Sequence, residues 1–223
     1  MILNRIEDQL RGWFGPDAGI CVSFNSEKSL YPGEQAFVNG AVPQRRSEFS
    51  TGRWCAREAM KAIGLAPSPI PVGLRRAPLW PEGVTGSISH VGAISAAVVG
   101  LSCWYTGIGI DLVEIASAIP TVAAAEAFLI SPQEKDLPFT AAGIDPGVLR
   151  FSAKESVIKA VSREADRWIE FTEIQVQFTE SRFEALVQDC ASPVRGWWAV
   201  CEDFLLTAAI WHKVRCSDCG VIK

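Results

Sequence analysis

Residues 84–115, VTGSISHVGAISAAVVGLSCWYTGIGIDLVEI, contain three runs that resemble β-strands and are separated by Gly or Ser. The runs are Val84–His90, Ala93–Leu101 and Thr106–Ile115. The apolar part, 88–110, is about as long as the ~20 residues that a membrane span requires. However, it contains His90 and several Gly and Ser, and Asp111 follows it directly. We therefore expect buried strands joined by a turn and no membrane span.

Helical patterns flank these strands. Residues 44–64 carry apolar side chains at helical spacing and end at Gly64, with prolines following, and 149–161 shows a second helical pattern. The remaining predicted segments are a helix at Ala123–Leu129, a segment at Gln133–Leu137, and strands at Phe171–Phe178, Gly196–Cys201 and Leu205–Val214. The order helix, strands, helix, strands predicts an α+β protein with two halves joined near 103–108.

The composition is that of a globular protein. The 223 residues are 48% hydrophobic and 21% charged. The N-terminus lacks the long apolar segment and small-residue cleavage site of a signal peptide, so we expect a cytoplasmic protein. Seven cysteines without framework spacing indicate reduced thiols rather than disulfides.

Charge is unevenly distributed along the chain. The net charge is −4, yet residues 45–76 carry seven basic and two acidic side chains. On a helix, Arg46, Arg53 and Arg57 share one side and Arg45 lies on its flank, a geometry that can converge on one phosphate. Such a compact basic island suits a small phosphorylated ligand better than a nucleic acid. A solvated helix face is the alternative.

Two carboxylates stand out as candidate metal ligands. Asp111 directly follows the apolar run 108–110, where a carboxylate either binds a ligand or caps a turn. Glu155 lies on the helix 149–161, four residues before Lys159, and this spacing alone indicates a helix-stabilising ion pair of about 0.3–0.5 kcal/mol. Two hard carboxylates from different elements, together with water and phosphate oxygens, would suit Mg²⁺.

Lys154 and His90 are candidate phosphate ligands. Lys154 lies in the apolar stripe of its helix, where its charge costs desolvation unless a bound phosphate or a carboxylate matches it. His90 ends the segment Gly86-Ser87-Ile88-Ser89, whose small residues permit close backbone approach. A histidine there is either a structural hydrogen-bonding group or a donor to phosphate, and we favour the second interpretation.

Four local patterns, in this order and spacing, resemble the phosphopantetheinyl transferases, especially the bacterial surfactin- and enterobactin-type group. They are Gly52-Arg53-x-x-Ala56-Arg57, then Pro78-x-Trp80-Pro81-x-Gly83-x-x-Gly86-Ser87-Ile88-Ser89-His90, then Gly109-Ile110-Asp111, and finally Phe151-Ser152-Ala153-Lys154-Glu155-Ser156-x-x-Lys159. The resemblance covers about residues 30–180. It implies a monomer with two pseudo-symmetric lobes, 1–106 and 107–223, and an active site between them.

The resemblance also implies an activity. The enzyme would move the 4′-phosphopantetheine group of coenzyme A onto a serine of an acyl or peptidyl carrier protein and release 3′,5′-ADP. Asp111 and Glu155 would bind Mg²⁺ or Mn²⁺, and Glu155 would take the proton of the carrier serine. Lys159 and His90 would complete the catalytic group. Secondary-metabolite or siderophore biosynthesis is the expected setting, but the carrier and pathway are not readable from the sequence.

The coenzyme A contacts implied by the resemblance form two sets. The pyrophosphate would be contacted by His90, Lys154 and Lys159. The 3′-phosphate and adenosine end would be held by Arg45, Arg53, Arg75 and Ser89.

One departure concerns the metal site. Many relatives place a third carboxylate two residues after the Asp, where this chain has Val113. Glu114 should point to the opposite face of a continuing strand. We therefore expect a two-carboxylate site completed by water. The tail His212-x-x-x-Cys216-x-x-Cys219 has only three candidate zinc ligands, and we expect no zinc site there.

Two other functions remain open at this point. An acyl-coenzyme A-dependent acyltransferase would also explain the basic island, although it needs no carboxylate pair. A non-catalytic protein that binds coenzyme A or a carrier is the other alternative, and Val113 motivates it.

Overall fold

The computed structural model describes residues 1–131, 134, 144–165 and 167–212. The predicted segment 133–137, apart from Glu134, and both tail cysteines lie outside the described residues. Among the described residues, Cys21, Cys55, Cys190 and Cys201 are free thiols. Over the same residues, every helix is too short or too polar to cross a lipid bilayer.

The described residues form five α-helices and eight β-strands. The helices are α1 Ile2–Phe14, α2 Pro32–Gln35, α3 Pro43–Ala62, α4 Ile115–Leu129 and α5 Pro146–Val161. The strands are β1 Ala18–Phe24, β2 Val84–Val91, β3 Ile94–Leu101, β4 Gly107–Glu114, β5 Ile174–Phe178, β6 Arg182–Val187, β7 Val194–Cys201 and β8 Phe204–Trp211. Short 3₁₀ turns occupy Gly15–Asp17, Leu74–Arg76 and Phe171–Glu173.

The strands form two antiparallel sheets. The first sheet has the order β1-β3-β2, and the second has the order β4-β8-β7-β6-β5. All strands of the first sheet precede residue 102 and all strands of the second follow residue 106. The predicted α+β fold is therefore confirmed. The lobe boundaries 1–106 and 107–223 stay a prediction.

Each sheet carries one long helix that packs closely on it through glycine. A side chain on Gly19 of β1 would lie 1.8 Å from the Ala59 carbonyl oxygen of α3. On β4, a side chain on Gly109 would lie 1.7 Å from the Ser156 carbonyl oxygen of α5. Both distances are far below van der Waals contact, so glycine is required wherever helix and strand approach this closely.

The two sheets meet where β2 lies beside β4. The Ser87 hydroxyl accepts a hydrogen bond from the Ile110 N–H at 3.0 Å, and the Ser89 hydroxyl accepts one from the Leu112 N–H at 3.1 Å. All four residues are buried or half-buried. Serine hydroxyls thus accept the hydrogen bonds of backbone N–H groups on the edge of β4 that faces β2. This junction positions the site described next.

Helix α1 closes the outer side of the same junction. Ile6 and Leu10 are fully buried and share one hydrophobic core with Val98 of β3 and Ile108 and Ile110 of β4. A second core lies under α4 and α5, and a third under α3. Because the α1 core contains residues of both sheets, it fixes their relative position.

Candidate active site

Asp111 lies at the centre of the junction, buried on the face of β4 that α5 covers. Its Oδ1 accepts hydrogen bonds from Lys159 Nζ at 2.7 Å and from the Ser89 hydroxyl at 3.3 Å. Its Oδ2 accepts one from the Ser152 hydroxyl at 2.9 Å. Strands β2 and β4 and helix α5 therefore all contribute to one carboxylate.

Glu155 lies on α5, one turn before Lys159. Burial raises the pKa of its carboxyl, the Lys159 ammonium lowers it, and the negative charge of Asp111 raises it further. The two carboxylates are thus within electrostatic reach of each other. Two carboxylates that repel each other in a partly desolvated cleft are a donor set that suits a hard divalent cation.

The described residues bring at most two carboxylates, Asp111 and Glu155, to the candidate metal site. No group of three or more His, Cys, Asp and Glu side chains in the described ranges comes together as a metal-ligand cluster. Val113 is buried in the core under α4 and α5. Glu114 ends β4, and its Oε2 accepts a hydrogen bond from the Ser117 hydroxyl at 2.6 Å. The position two residues after Asp111 is therefore apolar.

Lys159 is the cation that pairs with Asp111, in the cleft formed where β2, β4 and α5 meet. Besides Asp111, its ammonium donates to the Ile110 carbonyl at 3.0 Å and to the Ser89 hydroxyl at 3.3 Å. Its side chain is 28% exposed, so the amine lies at the border between protein and solvent. This placement leaves Lys159 able to meet an anion that enters the cleft.

His90 and Arg45 form the rim of the cleft on the side of the first sheet. Arg45 Nη1 and His90 Nε2 are 3.1 Å apart, and the Glu48 carboxylate lies 3.6 Å from Arg45 and 3.9 Å from His90 Nδ1. Burial is the largest cause that lowers the pKa of His90, and the charges of Arg45 and Lys159 lower it further. His90 therefore lies beside Arg45 and within electrostatic reach of Lys159.

Two residues predicted to bind the adenosine end of coenzyme A, Arg53 and Arg75, differ in their surroundings. Arg53 is buried, donates from Nε to the Ile70 carbonyl at 2.7 Å and lies over the Phe49 ring. Burial lowers its pKa to about 10. Arg75 is exposed in the turn 74–76 with a φ of 54°. Their contacts with a nucleotide stay a prediction.

Lys154 requires a correction. The prediction that it contacts the coenzyme A pyrophosphate is wrong, because the side chain is completely buried and the ammonium has three protein acceptors. Nζ donates to Glu134 Oε2 and the Leu129 carbonyl at 2.6 Å each and to the Phe171 carbonyl at 2.9 Å. A carboxylate, the other partner that the apolar stripe allowed, therefore matches its charge.

The predicted convergence of arginines on one phosphate is also wrong for two of its members. Arg57 is buried against Glu34, donating to both carboxylate oxygens at 3.0 and 2.9 Å, and Arg46 pairs with Glu27 at 2.8 Å. Arg57 belongs to a groove of about 490 Å³ whose lining includes none of the four predicted catalytic residues. The basic island is thus partly a structural ion-pair network.

Sequence reasoning missed four side chains that shape the site. Ser152 and Ser87 are hydrogen-bonding partners of Asp111 and of its strand, Glu48 faces Arg45 and His90, and Thr207 contacts Ser152 at 3.0 Å. Ser152 and Ser87 fall within the quoted patterns. Thr207, in contrast, reaches the site only through the pairing of β4 with β8.

Comparison with known proteins covers both halves of the chain. Residues 33–100 match the 4′-phosphopantetheinyl transferase N-terminal domain, and residues 107–209 match the 4′-phosphopantetheinyl transferase superfamily. Together these two matches extend over most of the chain.

Three relatives carry the same name. The 4′-phosphopantetheinyl transferase Svp of Streptomyces mobaraensis is 38% identical over 68% of this chain, a region that spans 59% of Svp. PptT of Mycobacterium tuberculosis is 31% identical over 80% of this chain and 85% of its own length. Npt of Nocardia iowensis is 28% identical over 87% of this chain and 95% of its own length. The chain therefore belongs to the 4′-phosphopantetheinyl transferase superfamily, enzymes that transfer the phosphopantetheine arm of coenzyme A to carrier proteins.

Proposed function

We propose that this chain transfers 4′-phosphopantetheine from coenzyme A to a carrier serine with Asp111 and Glu155 as its metal ligands. The observation that carries the proposal is the junction itself. Asp111, Glu155 and Lys159 come from a strand and a helix more than 40 residues apart, yet they interact in one cleft beside His90. A cleft with two carboxylates and several cations suits a diphosphate bound with a divalent cation.

Mg²⁺ is the proposed cation. Both ligands are hard carboxylate oxygens, and Mg²⁺ in proteins is held by one or two carboxylates together with phosphate oxygens and water. When bound, the cation neutralises charge on the diphosphate and polarises the reacting phosphoryl group. Mn²⁺ has the same preference for oxygen ligands and is the expected substitute.

The cations near Asp111 bind and orient the substrate. Lys159 contacts Asp111, and His90 is within electrostatic reach of both, so we assign Lys159 and His90 to the diphosphate of coenzyme A. Arg45, beside His90, is assigned to the 3′-phosphate end. Ser89 holds both Lys159 and Asp111, so it positions this group. Electrostatic positioning of this kind accounts for most of the acceleration in phosphoryl transfer.

Glu155 is the proposed general base. Burial and Asp111 raise the pKa of its carboxyl, so its carboxylate is a stronger base than an exposed glutamate. It takes the proton of the carrier serine hydroxyl as the serine oxygen bonds to the β-phosphorus of coenzyme A. The bond from that phosphorus to the bridging oxygen breaks, and the electron pair leaves with 3′,5′-ADP.

We also propose an acyl or peptidyl carrier domain as the partner, action as a monomer, and a cytoplasmic location. The family supports the type of partner. The shared α1 core supports a chain that completes its own cleft, because residues of both sheets contribute to it.

The test uses the purified chain with coenzyme A, Mg²⁺ and an apo-carrier domain. Mass spectrometry should show a carrier heavier by one phosphopantetheine group, together with 3′,5′-ADP. Glu155→Gln should abolish the product, whereas Glu58→Gln, at a half-buried residue of α3 that pairs with Lys61, should not. An unmodified carrier with every divalent metal would support the non-catalytic alternative. Release of free coenzyme A from an acyl-coenzyme A would support the acyltransferase.

A further inference from the structure

We propose that Ser152 and Thr207 are positioning residues that fix the Asp111 carboxylate for metal binding, an inference that rests on the proposed function. Both side chains are completely buried. The Ser152 hydroxyl lies 2.9 Å from Asp111 Oδ2 and 3.0 Å from the Thr207 hydroxyl. The Thr207 hydroxyl also lies 2.8 Å from the Ser152 carbonyl oxygen.

The chemistry of these groups determines which of them donates each hydrogen bond. An ionised carboxylate only accepts hydrogen bonds, and a hydroxyl has one proton, so the Ser152 proton goes to Asp111. Thr207 must then be the donor toward Ser152, to its hydroxyl or its carbonyl oxygen. The Thr207 hydroxyl donates to the Ser152 carbonyl oxygen, and its oxygen lies beside the Ser152 hydroxyl, so Thr207 holds Ser152 in place while Ser152 donates to Asp111.

Ser152, held by Thr207, contacts one oxygen of the Asp111 carboxylate, while Lys159 contacts the other. Lys159 and Ser89 donate to Oδ1, and Ser152 alone among the described contacts donates to Oδ2. Asp111 and Thr207 are direct partners in the pairing of β4 with β8, so the threonine is fixed by the sheet register. Because the orientation of the carboxylate is set before any ligand arrives, metal affinity should depend on both hydroxyls.

The matched control is Ser156→Ala. Ser156 is equally buried on the same helix, but its hydroxyl donates to the Ala153 carbonyl at 2.7 Å within α5. Ser152→Ala removes the bond to Asp111, and Thr207→Val removes the donor at nearly unchanged volume. Thr207→Ser restores the hydroxyl and serves as the conservative variant.

The experiment measures Mg²⁺ binding by isothermal titration calorimetry in the presence of coenzyme A, together with kcat, the KM for coenzyme A and the melting temperature. Ser152→Ala should weaken Mg²⁺ binding about 10-fold, since loss of a partner of a metal ligand typically costs 10–100-fold. Thr207→Val should weaken it less, and Thr207→Ser should restore it. The KM for coenzyme A at saturating Mg²⁺ should change little in these variants.

Wild-type Mg²⁺ affinity in both Ser152→Ala and Thr207→Val would overturn the proposal, as would a drop in melting temperature without a change in affinity. If Ser152→Ala does not fold, Thr207→Val decides alone. Failure of the proposed function looks different, because the wild-type chain itself would then leave the carrier unmodified. The calorimetric comparison still decides the roles of the two hydroxyls in that case.

Discussion

Two lysines five positions apart on α5 have opposite environments. Lys154 is enclosed by Glu134 and two carbonyl groups, and burial lowers its pKa while Glu134 raises it. Lys159 reaches the cleft and Asp111. The apolar stripe of α5 predicted that Lys154 needs a charged partner. The choice between phosphate and carboxylate depends on Glu134, 20 residues earlier in the sequence.

Lys154→Met and Lys159→Met should therefore separate stability from activity. Lys154→Met removes the nearer of two cations from the buried Glu134 carboxylate, at 2.6 Å against 3.7 Å for Arg150, which should cost up to about 3–5 kcal/mol of unfolding free energy. Lys159→Met should change stability much less and abolish transfer, since it removes the cation of the cleft. Urea unfolding and the transfer rate measure the two effects. Equal effects of both changes on stability would contradict the assignment.

Glu155 should make stability depend on pH in metal-free protein. Its pKa is raised in the folded state, so its contribution is most favourable at low pH and is lost as the pH rises through the folded pKa. Glu155→Gln should therefore be more stable than wild type at neutral pH, with the difference vanishing below that pKa. Urea unfolding at a series of pH values measures this. Addition of Mg²⁺ should stabilise wild type but not Glu155→Gln. Stabilisation of Glu155→Gln but not of wild type by Mg²⁺ would contradict the assignment of Glu155 as a metal ligand.

At the level of elements, the strongest patterns were predicted well. Helix α3 was predicted at 44–64 and found at Pro43–Ala62, and β2, β3 and β4 lie within one residue of the predicted bounds. Helix α4 begins at Ile115, directly after β4, and not at 123 as predicted. The reason is that Pro120, which ordinarily marks a helix start, lies inside this helix.

Four elements, helices α1 and α2 and strands β1 and β6, were missing from the prediction. Helix α1, strand β1 and strand β6 carry readable patterns, such as the buried Phe183 and Val187 alternating with exposed side chains in β6. Strand β5 is shorter than predicted because residues 171–173 form a 3₁₀ turn. Strands β1, β5 and β6 pair with strands that the local sequence pattern does not identify, so their bounds are hard to predict from that pattern alone.

The packing of α5 on β4 gives a prediction at this scale. Gly109→Ala would place a methyl group 1.7 Å from the Ser156 carbonyl oxygen, so α5 must move away from β4. We expect a loss of about 1–3 kcal/mol or more in unfolding free energy and a loss of transfer activity, because Glu155 moves with the helix. Gly12→Ala on α1, with open space around it, should instead stabilise by about 0.5–1 kcal/mol. Urea unfolding of both variants checks this contrast, and an unchanged Gly109→Ala would contradict the packing.

For the whole molecule, the predicted site is a junction between two sheets. The resemblance to the phosphopantetheinyl transferases implied that Asp111, Glu155, Lys159 and His90 serve one site, and the motifs placed each of them at the end of a strand or inside a helix. It did not predict Thr207 or Glu48, whose proximity follows only from strand pairing and from the packing of α3. Contacts across the junction, such as the hydrogen bond of 2.7 Å from Arg163 to the Val84 carbonyl, likewise depend on the assembled fold.

The most direct test is calorimetric titration of Mg²⁺, in the presence of coenzyme A, into wild type, Asp111→Asn, Glu155→Gln and the double variant. If both carboxylates hold one cation, each single variant should bind Mg²⁺ far more weakly than wild type. The double variant should then be little worse than either single variant, because the two losses are not additive within one site. Wild-type binding in either single variant, or losses that simply add, would show that these side chains do not share a metal ion.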